Sequence, residues 1–535
     1  MRANDREYQQ LDAVVVGAGF AGIYALYRFR SLGLKTRAFE AGSGVGGTWF
    51  WNRYPGARCD VESMEYSYQF SEELQQEWQW SERYAPQAEI LRYLEHVAER
   101  FDLRRDIQLD TRVDSAIYDE AGTRWKIGCS DGSRWSARFF VMATGCLSAV
   151  NMPEFAGRES FQGKIYHTAR WPHEGVTFHG QRVGVIGTGS SGVQSIPLIA
   201  AEAEHLYVFQ RTPTWSIPAH NRSLDPDEVR RIKAIYPELR AQSALQPFGF
   251  NTRSAETTAM DVDDQERLRE YETRWERGGL GFLGGYSDLL LSRDANDTAA
   301  EFVGGKIRAI IRDPALAAKL TPRTAVGCKR LCVDTNYYDT FNRDNVTLVD
   351  VTAEPIEGIA PKGLRTGGKE YELDAIVFAT GFDAMTGALL GVDIRGRDGV
   401  ELREKWAAGP RTYLGLSTAG FPNFFFVTGP GSPSVLTNMV PSIEQHVNWI
   451  SACISNLFES GHGSIEPTPE AEDAWVDLVN EIGGMTIYPT CNSWYLGSNV
   501  PGKPRVFMPY LGFPDYVVRA NAIAAAGYEG FRLGG

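Results

Sequence analysis

Twice in this chain an apolar, β-branched run breaks into a Gly-x-Gly-x-x-Gly turn and then reads as a helix. The first run is "LDAVVV", residues 11–16, followed by Gly17-Ala-Gly19-Phe20-Ala-Gly22 and "IYALYRFRSLG". The second is "RVGVIG", in which Gly187 opens Gly187-Thr188-Gly189-Ser190-Ser191-Gly192, followed by "VQSIPLIAAEAE". Strands of this composition suit a parallel sheet covered on both faces. The first glycine of such a turn permits the tight bend. The second lets backbone approach a pyrophosphate, and the third lets helix and strand pack closely. The pyrophosphate then meets the free N–H groups at the helix N-terminus. An α/β fold with two Rossmann-like dinucleotide-binding domains is expected.

The strand after each turn separates the two nucleotides. "KTRAFE" ends in Glu40, about 20 residues past the first turn, where a carboxylate bonds a ribose hydroxyl. "HLYVFQ" is followed instead by Arg211 and Thr212. Arginine accommodates a 2′-phosphate that a carboxylate would repel, although a strand-end arginine is also an ordinary surface residue. The first site is expected to take FAD or NAD, and the second NADP. Two further apolar runs, "RFFVMATG" and "DAIVFATG", end alike before Cys146 and Phe382 and mark where the chain crosses between domains. The expected division is 1–149 with 383–535 around the first nucleotide, and 150–218 with 326–382 around the second. Residues 219–325 are highly charged with helical spacing, and Phe302, Ile307 and Ile311 share a face, so a helical insertion is expected there.

Composition removes several alternatives. A formal charge of −13 disfavours nucleic acid as a partner. No apolar run approaches the roughly 20 residues of a membrane span, and the polar start "MRANDREYQQ" is no signal peptide. Seven cysteines without a Cys-x-x-Cys pair give neither a disulfide framework nor a redox pair. Cys328 and Cys332 have no nearby histidine, so no metal is expected. Reduced thiols in a cytoplasmic protein fit best.

Two other segments carry a resemblance. "FQGKIYHTARWP", Phe161 to Pro172, and "GGTWFWNRYPGARCD", residues 46–60, resemble two motifs of the type I Baeyer–Villiger monooxygenases. The likeness runs through nearly the whole chain, and it is nearer the phenylacetone and steroid branch than the cyclohexanone branch. It implies a monomer using FAD, NADPH and dioxygen. A flavin C4a-peroxide would convert an aryl, linear or bulky cyclic ketone to an ester or lactone, with sulfoxidation as a side activity. By resemblance the catalytic arginine is Arg330 in "GCKRLCVDTNYY", Lys329 reaches the NADP phosphate, and Asp60 pairs with the arginine. Arginine suits the role because it stays protonated beside a peroxide and an oxyanion. A Lys-Arg pair in a loop is otherwise usually just solvated, and Asp60 read alone is also a favoured helix N-cap.

The resemblance further places Gly47, Thr48 and Trp49 at the flavin and Trp494 on a loop that closes over substrate and NADP. Ser434, Val435, Leu436 and Met439 of "GPGSPSVLTNM" would face the substrate. Core packing is the alternative for both tryptophans. Phe161, Gly163, His167 and Trp171 would link the two nucleotide domains, whereas His167 read in isolation invites a general-base role. The chain departs from the family at Cys328, where threonine is common, and near Gly512 to Tyr516. The rival readings are an N- or S-oxygenating flavoprotein, whose motif lacks Trp171-Pro172, and a nucleotide sensor without chemistry.

Overall fold

Both apolar runs become central strands of parallel sheets. The computed structural model describes residues 8–534. In chain order the first sheet and its helix comprise β1 (Gln9–Val16), α1 (Phe20–Ser31), β2 (Thr36–Phe39), β3 (Ile107–Gln108), β4 (Val113–Asp119), β5 (Arg124–Cys129) and β6 (Arg134–Met142). β1 lies between β2 and β6, parallel to both, with β3 beyond β2. β4 and β5 extend the other side in antiparallel register. Phe424–Phe426 pairs in parallel with β6, and Asp393–Arg395 with β4, so this sheet contains chain from both ends of the sequence.

The second sheet holds β7 (Lys164–His167), β8 (Arg182–Ile186) and β9 (His205–Gln210) with Val346–Asp350 and Ala375–Phe378. Its order is 346–350, β9, β8, 375–378, β7, parallel throughout. The helix after its glycine turn is Ser190–Glu202. Of the five helices between Pro226 and Leu320, Pro226–Ala234 and Tyr236–Ala244 pack on the first core, and Asp264–Arg277, Arg293–Ile310 and Pro314–Leu320 on the second. On the helix Arg293–Ile310, Ile307 is buried and Phe302 half-buried, with Ile311 buried just past its end.

Two antiparallel arms carry no strong sequence signal: the three-stranded unit from Ile356 to Glu372, and Ser464–Pro467 paired with Phe531–Gly534. One expectation is corrected. The thiols are not all reduced, because Cys328 is disulfide-bonded to Cys491, 163 residues away; Cys59, Cys129, Cys146, Cys332 and Cys453 are free. Spacing could not reveal the pair, since its partners meet only through tertiary packing. No helix among the described residues is long and apolar enough to cross a membrane.

The helix Met439–Ser460 packs on α1 in the first core and buries Glu444. One carboxylate oxygen, Oε1, accepts the N–H groups of Gln69 and Phe70, each at 2.9 Å. Burial, opposed by these bonds and by Arg240, raises the Glu444 pKa from 4.5 to about 7. A carboxyl raised in the fold stabilises it below the unfolded pKa, and that contribution is lost as pH rises through the folded value. The loss between roughly pH 4.5 and pH 8 is about 3 kcal/mol. Glu444→Gln keeps an acceptor for both N–H groups without the charge. It is expected to raise the denaturation midpoint at pH 8 and to leave it unchanged at pH 5; equal midpoints at pH 8 would refute the assignment.

Candidate active site

The first glycine turn has no room for side chains. Gly17 has φ of 104°, and its N–H donates to the Phe39 carbonyl at 2.8 Å. A Cβ on Gly22 would lie 1.9 Å from the Gly17 oxygen. Gly47, from the second motif, crosses the turn so closely that its Cβ would lie 2.8 Å from the Gly19 Cα. Glu40 is buried at the end of β2, and its two oxygens accept the N–H groups of Ala18 and Gly42, both at 2.8 Å. Burial raises its pKa against the pull of those bonds. Phe20 and Trp49 are buried nearby; Trp49 donates to the Tyr66 hydroxyl at 3.2 Å, and Thr48 opens the short helix Thr48–Trp51. Gly22→Ala is therefore expected to give colourless, flavin-free protein or none that folds, checked by the visible spectrum after purification; a yellow variant with full flavin would refute this.

The second turn repeats the geometry with one difference. A Cβ on Gly192 would lie 2.4 Å from the Gly187 oxygen, but one on Gly189 would meet nothing within 4 Å. Open space over the middle glycine is what a bound diphosphate requires. Thr188 donates to the Thr212 carbonyl at 2.9 Å, and Ser191 accepts from the Thr168 hydroxyl at 3.2 Å. The Ser190 hydroxyl sits 3.4 Å from the Cys332 sulfur. Arg211 is exposed at the end of β9. The Lys329 pKa is lowered, first by burial and then by the charge of Arg211, so two cations converge at the edge of this turn.

The arginine and aspartate named from the sequence lie against each other. Arg330 Nε donates to Asp60 Oδ2 at 2.9 Å, and Nη2 donates to Oδ1 and Oδ2, each at 2.8 Å. Nη1 donates to the Val435 carbonyl at 2.7 Å. Burial depresses the guanidinium pKa, yet the Asp60 charge, with Tyr495, more than reverses this and raises it. Asp60 caps no helix; the residues after it form turns. A cavity opens beside Arg330, walled by Phe248, Phe250, Leu280, Leu283, Leu436, Thr437, Tyr488 and Tyr495.

Of the four substrate-loop residues, Leu436 stands on this wall and Val435 contributes its carbonyl. Ser434, at φ 44°, turns its hydroxyl back to the Thr428 carbonyl at 3.0 Å. Met439 begins the helix Met439–Ser460 and packs against the first core. Trp494 lies with its ring 4.2 Å from that of Tyr495, and it is Tyr495 that reaches the cavity and the guanidinium. Sequence reading missed Tyr495, Tyr488 and the wall residues 248–283. Only the adjacency of Tyr495 to Trp494 could have pointed to any of them.

His167 is buried away from the arginine's partners. Its Nδ1 accepts the Ala169 N–H at 3.0 Å, which leaves the neutral ring's proton on Nε2, 3.2 Å from Thr380 Oγ1. The Thr380 hydroxyl donates in turn to the Asn151 carbonyl at 2.7 Å. Burial lowers the His167 pKa. The ring thus ties β7 to residues 151 and 380, where the chain passes between the sheets; Asn151 N–H donates to Gly381 at the same place. Trp171 is buried against Tyr166 and Phe178, and Gly163 leaves no room for a Cβ between Asp374 and the Phe161 ring.

A family model described as pyridine nucleotide-disulphide oxidoreductase matches residues 14–266. A Baeyer-Villiger monooxygenase of Pseudooceanicola batsensis is 46% identical over 528 residues, covering 97% of this chain and 95% of its own. An oxidised steroid monooxygenase bound to NADP is 55% identical with a TM-score of 0.94, over 98% of this chain and 100% of its own. The complex of OTEMO with FAD and NADP is 41% identical with a TM-score of 0.95, over 98% of this chain and 99% of its own.

Proposed function

The chain belongs to the Baeyer–Villiger monooxygenase family, and from that premise we propose how its own residues divide the work. It is an FAD-containing, NADPH-dependent monooxygenase that converts a ketone to an ester or lactone. Ketone, NADPH, a proton and dioxygen give ester, NADP and water. The bound flavin and nicotinamide supply hydride transfer and the activation of dioxygen. Both glycine turns fit such groups, because the places where a Cβ would intrude are glycine.

Gly17, Gly19, Gly22, Glu40 and the Gly47–Trp49 segment hold the flavin nucleotide, while Gly187–Gly192, Arg211, Thr212 and Lys329 hold NADP. Arg330 supplies a fixed positive charge to the substrate's carbonyl oxygen as negative charge builds there. One such donor is worth about 3 kcal/mol. Its raised pKa means that it does not release a proton into the site. Asp60 holds the planar fork and Val435 fixes its far end. His167, with its proton committed to Thr380, positions the crossover between sheets rather than moving protons. We assign residues 1–149 with 383–535 to the flavin domain, 150–218 with 326–382 to the NADP domain, and 219–325 to an insertion that walls the substrate cavity.

The single observation carrying the substrate proposal is the apolar, aromatic wall beside Arg330. It favours aryl, linear or bulky cyclic ketones over small cyclic ones, with sulfoxidation as a side activity. We place the enzyme in the cytoplasm as a monomer, consistent with exposed apolar residues as scattered as Leu245, Met485 and Val518. The test is phenylacetone with NADPH in air, followed by gas chromatography. Benzyl acetate is the expected product. NADPH consumption without ester, but with oxidation of methyl phenyl sulfide, would turn the reading toward heteroatom oxygenation.

A further inference from the structure

We propose that the Cys328–Cys491 disulfide is a reducible clasp on the active site, holding the loop that carries Tyr488 and Tyr495 against the loop that carries Arg330. The inference rests on the roles given above to Arg330 and its cavity. Cys328 lies two residues before Arg330, and Cys491 four before Tyr495, with their Cα atoms 6.3 Å apart. The clasp therefore joins the two segments that meet at the guanidinium.

Local structure alone does not fix the second segment. From Tyr488 to Pro504 its only helical structure is two three-residue turns, Tyr488–Thr490 and Trp494–Leu496. Its other anchors are noncovalent: Met508 N–H donates to the Tyr495 carbonyl at 3.1 Å, Asn499 donates to the Phe382 carbonyl and its own carbonyl accepts from Asn151, and two more lie at the ends. Ile487 N–H donates to the Leu290 carbonyl at 2.9 Å, and Lys503 donates to the Ala384 carbonyl at 2.6 Å and pairs with Asp383. Between them the disulfide is the covalent tie. Both cysteines are buried in a small apolar cluster with Leu290, Ala325 and Ile487, against which Phe248 and Leu283 pack. Phe248 and Leu283 also wall the cavity, so release of the clasp loosens cavity and arginine contact together.

In a reducing compartment a protein disulfide is usually transient, catalytic or sensing rather than a permanent staple. A dithiol is the reductant required. Its thiolate attacks one sulfur, the S–S bond breaks, and the departing cysteine thiolate takes a proton. The second thiol then displaces the other cysteine, so two electrons pass to the protein and the reagent leaves as a cyclic disulfide.

The test uses the full holoenzyme. Alkylation after non-reducing denaturation, read by mass spectrometry, should modify five cysteines and recover Cys328 and Cys491 in one linked pair of peptides. Seven modified cysteines would overturn the proposal. Dithiothreitol treatment, carried until all seven are modified, should speed tryptic cleavage at Arg505 roughly tenfold. It should lower kcat/KM for ketone by about tenfold and raise the share of NADPH consumed without ester; displacement of catalytic groups by about 1 Å can cost more than that. C328S/C491S should show the reduced behaviour with or without dithiothreitol, and C328T/C491T serves the same purpose if the serine variant folds poorly. Unchanged cleavage and coupling after complete reduction would overturn the clasp. Thiol count and proteolysis decide it even where no ketone is turned over, so the two readings fail separately.

Discussion

Replacing Arg330 with alanine is expected to leave a yellow protein that NADPH still reduces and that makes almost no ester. The nucleotide cradles are built from backbone and glycine at Gly17–Gly22 and Gly187–Gly192, which this change does not touch. What disappears is a cation held by three bonds to Asp60 and one to the Val435 carbonyl. A donor aimed at developing charge is worth about 10²–10³ in rate, and a full charge in a partly water-excluded site is worth more. A fall of at least about 10³ in ester formation is therefore expected, with flavin reduction by NADPH within a few-fold of the parent. Stopped-flow absorbance separates the two half-reactions, and gas chromatography counts the ester. The raised pKa adds a further expectation. Arg330 is charged at every working pH, so the pH profile of the parent reflects other groups. Arg330→Lys keeps the charge but loses the planar fork, and should recover only part of the activity. An alanine variant that makes ester within about tenfold of the parent would remove Arg330 from the chemistry.

The fold was readable where one physical demand selects one residue type. Only glycine fits at Gly22 and Gly192, where a Cβ would strike backbone oxygen, and the runs before the turns are apolar because both faces of β1 and β8 are covered. The positions of Glu40 and Arg211 were legible as well, since each follows directly on the strand after its glycine turn. Arg330 and Asp60 are 270 residues apart, and no spacing rule relates them; the motifs on either side of each did. Residues whose importance comes only from tertiary contact were hidden. Cys328 and Cys491 read as isolated thiols, and Tyr495 as one of 23 tyrosines, because the contacts that matter are made across the fold. Phe248, Phe250, Leu280 and Leu283 come from the charged, helical stretch, whose polar texture concealed the side chains it sends to the cavity.

Asp60→Ala should separate positioning from charge. Removing the carboxylate leaves Arg330 with the Val435 carbonyl and the Tyr495 hydroxyl, neither of which carries a compensating charge. Breaking a fully buried ion pair costs about 3–5 kcal/mol. Here each side chain is about a quarter exposed, 24% for Arg330 and 23% for Asp60, so roughly 1–3 kcal/mol of stability is expected to be lost. Because the guanidinium is present but no longer held, ester formation should fall by about 10²-fold, less than in the arginine variant. The double variant decides between this account and two independent roles. If Asp60 acts through Arg330, D60A/R330A should make no less ester than R330A alone, because the effects of residues acting as a unit do not add. The same double variant should be more stable than D60A, since it removes the unpaired cation that the single change leaves behind. Denaturation midpoints and ester yields for the four proteins measure both couplings. Simple additivity in both would mean that the two side chains, although in contact, serve the enzyme separately.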